Sequence, residues 1–405
     1  MTNKTSVLTK LLPIMAAVLV AFLVTGMAIP VLPLHLHEDL GLGTFVVGLV
    51  AGTQFAASLL SRFWSGAYAD TRGAKRAVVV GLLMATASGL LYLLSLRFRG
   101  VPETSVAVLL VGRALLGAAE SFIITGALSW GLTLAGGQNT GKVIAWVGTA
   151  LWAAYAVGAP VGTALYAGFG FAGVALATVL LPLGTLVLVA RLRSIPAVAS
   201  ARPAVPQVLR AVWVPGIGLA LSSVAFGAIT TFGALLFAAR GWSSAWLAFT
   251  ALSVAFILGR VVFGHLPDQI GGARVALVCV LIEAAGQAMI WLAPTSALVF
   301  VGAAVTGLGY SLVYPGFGVE AVRRAPPEAR GLAVGAYTAF LDLALGIANP
   351  GLGLIASRAG LGSVFLVSTL VVLCAAAIAM GLAFRSRGDA LAVLEDGRRV
   401  HRLAA

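Results

Sequence analysis

Between Leu11 and Leu34 the chain carries no charged side chain, and about 20 consecutive apolar residues are enough to cross a bilayer core as a helix. Runs of this kind return along the whole sequence. They place twelve spans at approximately 12–34, 44–64, 76–96, 105–134, 141–168, 172–190, 212–238, 245–264, 273–293, 297–320, 331–356 and 361–384. No other feature narrows the fold so far. In lipid every backbone N–H and C=O must be satisfied by the structure itself, which leaves helices and closed barrels. Barrel strands alternate over about 10 residues, so runs of this length predict an all-α membrane protein. Composition agrees: the chain is 60% hydrophobic and 10% charged, with mean hydropathy +1.04, more apolar surface than a soluble domain can bury.

Basic residues set the orientation, because Lys and Arg collect on the cytoplasmic side of a membrane. With the N-terminus placed inside, nineteen of the 26 Lys and Arg fall in inside segments, among them Arg72, Lys75, Arg76 and Arg274. Arg97, Arg99, Arg240 and Arg358 fall outside, and Arg62, Arg113 and Arg260 lie within spans. One span more or fewer would scramble this division. The expectation is therefore a multi-pass protein of a bacterial-type inner membrane with both termini cytoplasmic. A net charge of +13 invites nucleic acid as a partner, but the basic residues are scattered over short loops and form no single patch. No nucleic-acid partner is expected. Cys279 and Cys374 both lie in apolar runs and suggest neither a disulfide framework nor a metal site. The apolar run after Lys10 is too long for a signal peptide and lacks a clear cleavage site, so it is expected to remain as the first span. Residues 192–211, rich in Pro, Ala and Arg, form the longest loop and fall near mid-chain. The expected organisation is a six-helix bundle over 1–191, a cytoplasmic linker over 192–211, a second bundle over 212–384 and a cytoplasmic tail over 385–405.

An internal repeat supports that division. The stretch "SRFWSGAYADTRGAKRAVVVG" (61–81) has an echo in "GRVVFGHLPDQIGGARVALVC" (259–279): at an offset of 198 residues, Arg62 falls on Arg260, Gly66 on Gly264, Asp70 on Asp268, Gly73 on Gly271 and Arg76 on Arg274. A second match, "AVGAPVGTALY" with "GIANPGLGLIA", sets Pro160 over Pro350 at an offset of 190. Halves related in this way are how many transporters build a central site. Asp70 lies just past the end of span two, where a helix dipole disfavours an anion, and Lys75 and Arg76 open span three, where it disfavours cations. Each charge is badly placed alone and needs a partner; orientation by itself needs no acid at Asp70. Gly66 is expected to let a neighbouring helix approach closely.

The segment Gly66-x-Tyr68-Ala69-Asp70-Thr71-Arg72-Gly73-Ala74-Lys75-Arg76 resembles the loop signature of the major facilitator superfamily, G-x-L-a-D-r-x-G-r-k, with Tyr in place of Leu and Ala at the first basic position. "GRALLGAAESF" is similar to that superfamily's R-x-x-x-G pattern through Arg113 and Gly117. "GAPVG" resembles the G-P-x-x-G-G signature of drug–proton antiporters, although Ala159 separates Gly158 from Pro160 and the final glycine pair is missing. "GYSLVYPGFGVEAVRR" and "AYTAFLDLALG" look like a bacterial subgroup labelled arabinose-efflux-permease-like. The resemblance covers the whole chain. It implies twelve transmembrane helices in two pseudo-symmetric six-helix bundles, with spans one, four, seven and ten lining a cavity. It also implies that Asp70 meets the N-terminal end of span eleven and latches the halves while the cavity faces outward. Gly66, Asp70, Arg72, Gly73, Lys75 and Arg76, with Asp268 and Arg274 of the weaker copy, form the expected gating loop.

Ionised groups within the bilayer usually face a cavity or a partner. Glu120, Glu283 and Asp342 lie near the middle of spans four, nine and eleven. By the resemblance, Glu120 and Asp342 point inward from opposite halves, which makes them the candidates for proton coupling or substrate binding. Glu283, on an outer helix, is expected to be a structural hydrogen-bonding group. Arg113 precedes Glu120 by two helical turns on the same face, roughly 10 Å away, and either couples to it or packs span four. Gln54, Ser121, Thr125, Thr230, Thr231, Tyr310, Tyr314 and Asn349, with the aromatic rings of Trp152 and Tyr155, are candidates to line the cavity. His35 and His37 stand beside Glu38 and Asp39 at the outer end of span one, where a solvated turn is expected and no metal.

These features point to a secondary active transporter. It would move a small organic solute by alternating access, with the proton gradient as driving force, no bound cofactor, and a monomer as the working unit. No phosphate-binding loop of the G-x-x-x-x-G-K-[ST] type occurs, so ATP is not the driver. Proton-coupled efflux is the preferred direction and uptake by symport of a sugar or other small metabolite the alternative. A membrane enzyme would bring paired His and acid residues or a Ser nucleophile at the membrane face, which the four His do not build. A receptor would bring a signalling domain larger than the C-terminal tail.

Overall fold

The computed structural model describes residues 4–135, 140–192, 205–325 and 330–403. Among the described residues there is no strand. The helices are α1 (Lys4–Leu34, prolonged by a π-turn over His35–Asp39), α2 (Thr44–Arg72), α3 (Ala74–Ser95), α4 (Pro102–Ala135), α5 (Thr140–Ala190), α6 (Val205–Ala239), α7 (Ala245–Phe263), the short α8 (Leu266–Ile270), α9 (Gly272–Trp291), α10 (Ser296–Arg324), α11 (Arg330–Ala359) and α12 (Leu361–Leu403). Eleven helices of the described residues are long and apolar enough to cross a membrane.

The expected fifth and sixth spans are the two arms of α5. Gly170 interrupts the helix at φ 62° and ψ −162°, and the apolar stretch Trp146–Ala190 is 45 residues long, about twice what one crossing needs. On the face that carries the start of α1 and the end of α12, here the terminal face, helices run further than hydropathy suggests. α2 continues to Arg72, because nothing in "SGAYADTR" breaks a helix once it has left the apolar layer. The expected loop shrinks to Gly73, whose φ of 98° and ψ of 145° separate α2 from α3. Gly271 has φ 96° and ψ 137° between α8 and α9, so the echo seen in sequence is also a repeat of backbone shape. Only glycine adopts such a conformation without strain. α6 begins at Val205, within the stretch expected as linker; residues 193–204 of that linker lie outside the described residues. α12 continues as a helix to Leu403, through the expected tail.

Neighbour relations repeat as well. α1 lies along α5, α2 along α4, and α3 along α4 and α5; in the second half α6 lies along α11, α7 along α10, and α9 along α10 and α12. The register matches at residue level. Gly117 of α4 touches the Gln54 carbonyl of α2, and Gly307 of α10 touches the Leu252 carbonyl of α7; a Cβ at either glycine would collide. Close approach through small residues is how helices bind one another in lipid, where the hydrophobic effect gives no preference for protein over acyl chain. The result is two six-helix bundles with one architecture.

The bundles meet where α2 crosses α11, α5 crosses α7 and α1 crosses α6. Thr44 Oγ1 donates to the Gly353 carbonyl at 2.9 Å, and Thr250 Oγ1 donates to the Ala156 carbonyl at 3.1 Å. Both contacts lie toward the face opposite the termini. Toward the terminal face the described parts of the bundles stand apart: none of the described residues lies within 4 Å of a Cβ built on Gly66, and Asp70 and Arg72 are exposed.

Candidate functional site

Two carboxylates occupy the middle of the molecule, one from each bundle. Glu120 of α4 is buried and accepts a hydrogen bond from Thr25 Oγ1 of α1 at 2.5 Å. Gln54 of α2 and Arg113, two turns back along α4, act on the same carboxylate. Arg113 is itself buried and donates through Nη1 to the Tyr92 hydroxyl at 3.4 Å, leaving Nε without a partner. It serves both as a packing link to α3 and as a cation near Glu120. Asp342 of α11 is buried and paired with Arg62 of α2, Nε to Oδ2 at 2.5 Å, and Ser58 Oγ donates to the same oxygen at 3.4 Å. This ion pair runs from one bundle to the other. Arg62 was legible only as a charge within a span that recurs as Arg260; no role followed from that.

Between the acids lies an aromatic layer. Trp152 of α5 stacks on Phe256 of α7 with centroids 3.7 Å apart, and Phe226 of α6 stacks on Tyr310 of α10 at 5.9 Å. Tyr155 meets Phe22, Phe226 and Phe249 and feels the charge of both Glu120 and Asp342. These rings come from both bundles and close the centre against the opposite face. Beyond them, Thr25, Gln54, Arg113, Tyr155, Phe226, Thr230 and Thr231 border a space of about 30 Å³. That is room for a water or two, not for a solute.

The remaining expected residues have different neighbours. Ser121 and Thr125 of α4 join Ser65 of α2 in a hydroxyl cluster at 3.0 and 3.3 Å. Tyr310 bonds Ser223 at 3.0 Å, whereas Tyr314, one turn on, bonds Thr338 at 2.6 Å and meets Tyr337, so the two tyrosines serve different neighbours. Asn349 is fully buried at the crossing of α11 with α2 and α6, and neither its Oδ1 nor its Nδ2 has a partner among the described residues. Glu283, expected as a structural group, is fully buried in α9 and accepts from Ser222 of α6.

Two expectations are corrected. Gly66 makes no close helix approach among the described residues, with nothing within 4 Å of a Cβ built there. His35 is no part of a solvated turn: it is fully buried, stacked on Phe171 at 4.1 Å, and bonded through Nδ1 to Asp39 at 2.7 Å, and Tyr166 also donates to that carboxylate. The π-turn and the bend at Gly170 bring these residues together. His37, by contrast, is exposed and bonds the Leu42 carbonyl. In the loop expected to gate, Lys75 donates to the carbonyls of Ala190 and Leu192 at 2.9 and 2.6 Å, capping the end of α5. Asp70, Arg76, Asp268 and Arg274 are exposed.

Two like bundles that meet around polar groups at mid-depth, joined on one face and parted on the other, make a solute transporter of the membrane. The family comparison agrees. The model of the Major Facilitator Superfamily matches residues 14–249 and 241–401. An uncharacterised MFS-type transporter of Salmonella typhimurium is 43% identical over 368 residues, covering 90% of this chain and 94% of that protein. Among solved structures, a mutant form of the nucleoside transporter NupG superposes with TM-score 0.74 at 14% identity, covering 92% of this chain and 99% of that one. A bacterial homologue of the human lysosomal transporter Spinster gives TM-score 0.74 at 15% identity, covering 94% and 97%. The chain belongs to the Major Facilitator Superfamily and is a transporter, not an enzyme.

Proposed function

We propose that this protein is a proton-coupled exporter of a small organic solute, working as a monomer in the inner membrane by alternating access. The terminal face is cytoplasmic, on the strength of the basic residues gathered there. The form described is then inward-facing, with residues 1–191 and 212–384 as the two rocking bodies. The observation that carries the reading is the Arg62–Asp342 pair between the bundles. An ionised Asp342 holds α2 to α11; a proton arriving from outside neutralises it and releases Arg62. Glu120, bonded to Thr25 rather than to a cation, is the second proton or substrate group. In the exchange, the proton leaves Asp342 toward the cytoplasm, solute binds from the same side, and the loaded bundles rock outward. The Asp70 latch belongs to the outward-facing form, which is why Asp70 is exposed here. Efflux over uptake rests on the partial antiporter signature around Pro160.

Purified protein in liposomes loaded with a pH-sensitive dye and screened against a solute panel tests this reading. Solute entering the vesicles by way of the protein should drive protons in the opposite direction. Glu120→Gln and Asp342→Asn should each reduce coupled flux by roughly tenfold or more, the usual size of a general acid–base contribution being 10²–10⁴, with the fold intact by circular dichroism. Normal coupled rates in both variants would remove the acids from the proton route, and proton movement in the same direction as solute would make the protein a symporter.

A further inference from the structure

Arg62 and Arg113 each have a buried acid to act on; Arg260, the remaining arginine of the apolar layer, has none among the described residues. It lies three residues before the end of α7, half-buried. Its guanidinium stands 5.7 Å from the centre of the Phe256 ring. The ionisable side chains acting on it are Tyr310, Tyr314 and Tyr337 of α10 and α11; no carboxylate is among them, and no ion pair to Arg260 is found among the described residues. A cation in the apolar layer normally has an acid, a carbonyl or a cavity to face.

The repeat shows what is missing. Positions in α2 map onto α7 with an offset of 198, as Gln54 and Leu252 do, and positions in α4 and the first arm of α5 map onto α10 and α11 with an offset of 190, as Gly117 and Gly307 or Pro160 and Pro350 do. Ser58, Arg62 and Asp342 therefore correspond to Phe256, Arg260 and Trp152. In the first set the arginine has its carboxylate at 2.5 Å. In the second an indole, stacked on Phe256 at 3.7 Å and 20°, occupies the place of the acid. The second set has the cation without its counter-ion among the described residues.

We infer that Arg260 anchors the anionic group of the transported solute, and that the solute is an organic carboxylate with an aromatic body. This deepens the proposed function and rests on its reading that solute binds from the terminal face. The planar guanidinium takes a carboxylate through two parallel N–H donors, and Phe256, Trp152 and Tyr310, packed against one another beside it, form an aromatic wall for a ring of the solute to pack on. Arg62 does not compete for the anion, because Asp342 already neutralises it. Arg260 stands on the side where the bundles part, so the anion reaches it from the terminal face.

Calorimetric titration of the purified protein with 1-naphthoate and with neutral 1-naphthamide tests this without any transport step. The wild type should bind the carboxylate about tenfold or more tightly than the amide, the usual size of a charged hydrogen bond. Arg260→Gln should erase that preference while leaving amide binding unchanged, and Arg260→Lys should keep part of it. Equal affinities in the wild type, no binding of naphthoate, or a preference that survives in Arg260→Gln would each overturn the inference. Should Arg260→Gln fail to fold, the wild-type comparison and Arg260→Lys still decide. Failure of the liposome experiment with naphthoate binding intact would instead strike the transport reading alone.

Discussion

At the scale of single residues, the Arg62–Asp342 pair is the feature with the sharpest consequences. Both side chains are largely out of water, at 23% and 5% exposed, so removing one partner strands the other. Arg62→Gln should cost about 3 kcal/mol, read as a lower thermal midpoint in detergent. Asp342→Asn made in the Arg62→Gln background should restore most of that loss, since no lone charge then remains. Additive losses would show that the two side chains do not depend on one another. Asp342 and Arg62 were each legible as a charge inside a span, whereas their pairing was not: the two are 280 residues apart, and only the crossing of α2 with α11 sets their register. The same holds for His35. Its sequence neighbours suggest a wet turn, but Phe171, which buries it, arrives from just past the bend in α5.

At the scale of elements, the long apolar runs made nearly every helix legible, because hydropathy registers the lipid layer directly. Where helices extend into water that signal stops, and the ends of α2, α6 and α12 were placed short. The turn between α2 and α3 shows what takes over. Backbone conformation at Gly73 and Gly271, not polarity, ends the preceding helix. Alanine at either position should destabilise by about 2 kcal/mol, the usual cost of a strained φ, and the two losses should be alike because the conformations are alike. Gly66→Ala should leave the thermal midpoint of this form unchanged, as none of the described residues lies near it, yet slow turnover if the outward form packs a helix there. A midpoint lowered by Gly66→Ala as much as by Gly73→Ala would contradict the open arrangement of the terminal face.

At the scale of the whole molecule, the two bundles touch from mid-depth to the face opposite the termini, and transport requires that this seam open. The Thr250 hydroxyl reaches the Ala156 carbonyl across it. Cysteines at these two positions, oxidised to a disulfide, should halt solute flux in liposomes, and reductant should restore it. Undiminished flux in the cross-linked protein would mean that the bundles need not separate there. The duplicated design was visible in the sequence through Arg62, Asp70 and Gly73 and their echoes, but its asymmetry was not: a carboxylate at one crossing and an indole at the other emerge only once the helices are laid side by side. One last contact bears on how the motion is transmitted. Lys75, by holding the carbonyls of Ala190 and Leu192, clamps the signature turn to the point where the chain leaves its first body for its second. Whatever moves that turn therefore also moves the end of α5, so the two cannot shift independently while Lys75 holds both carbonyls.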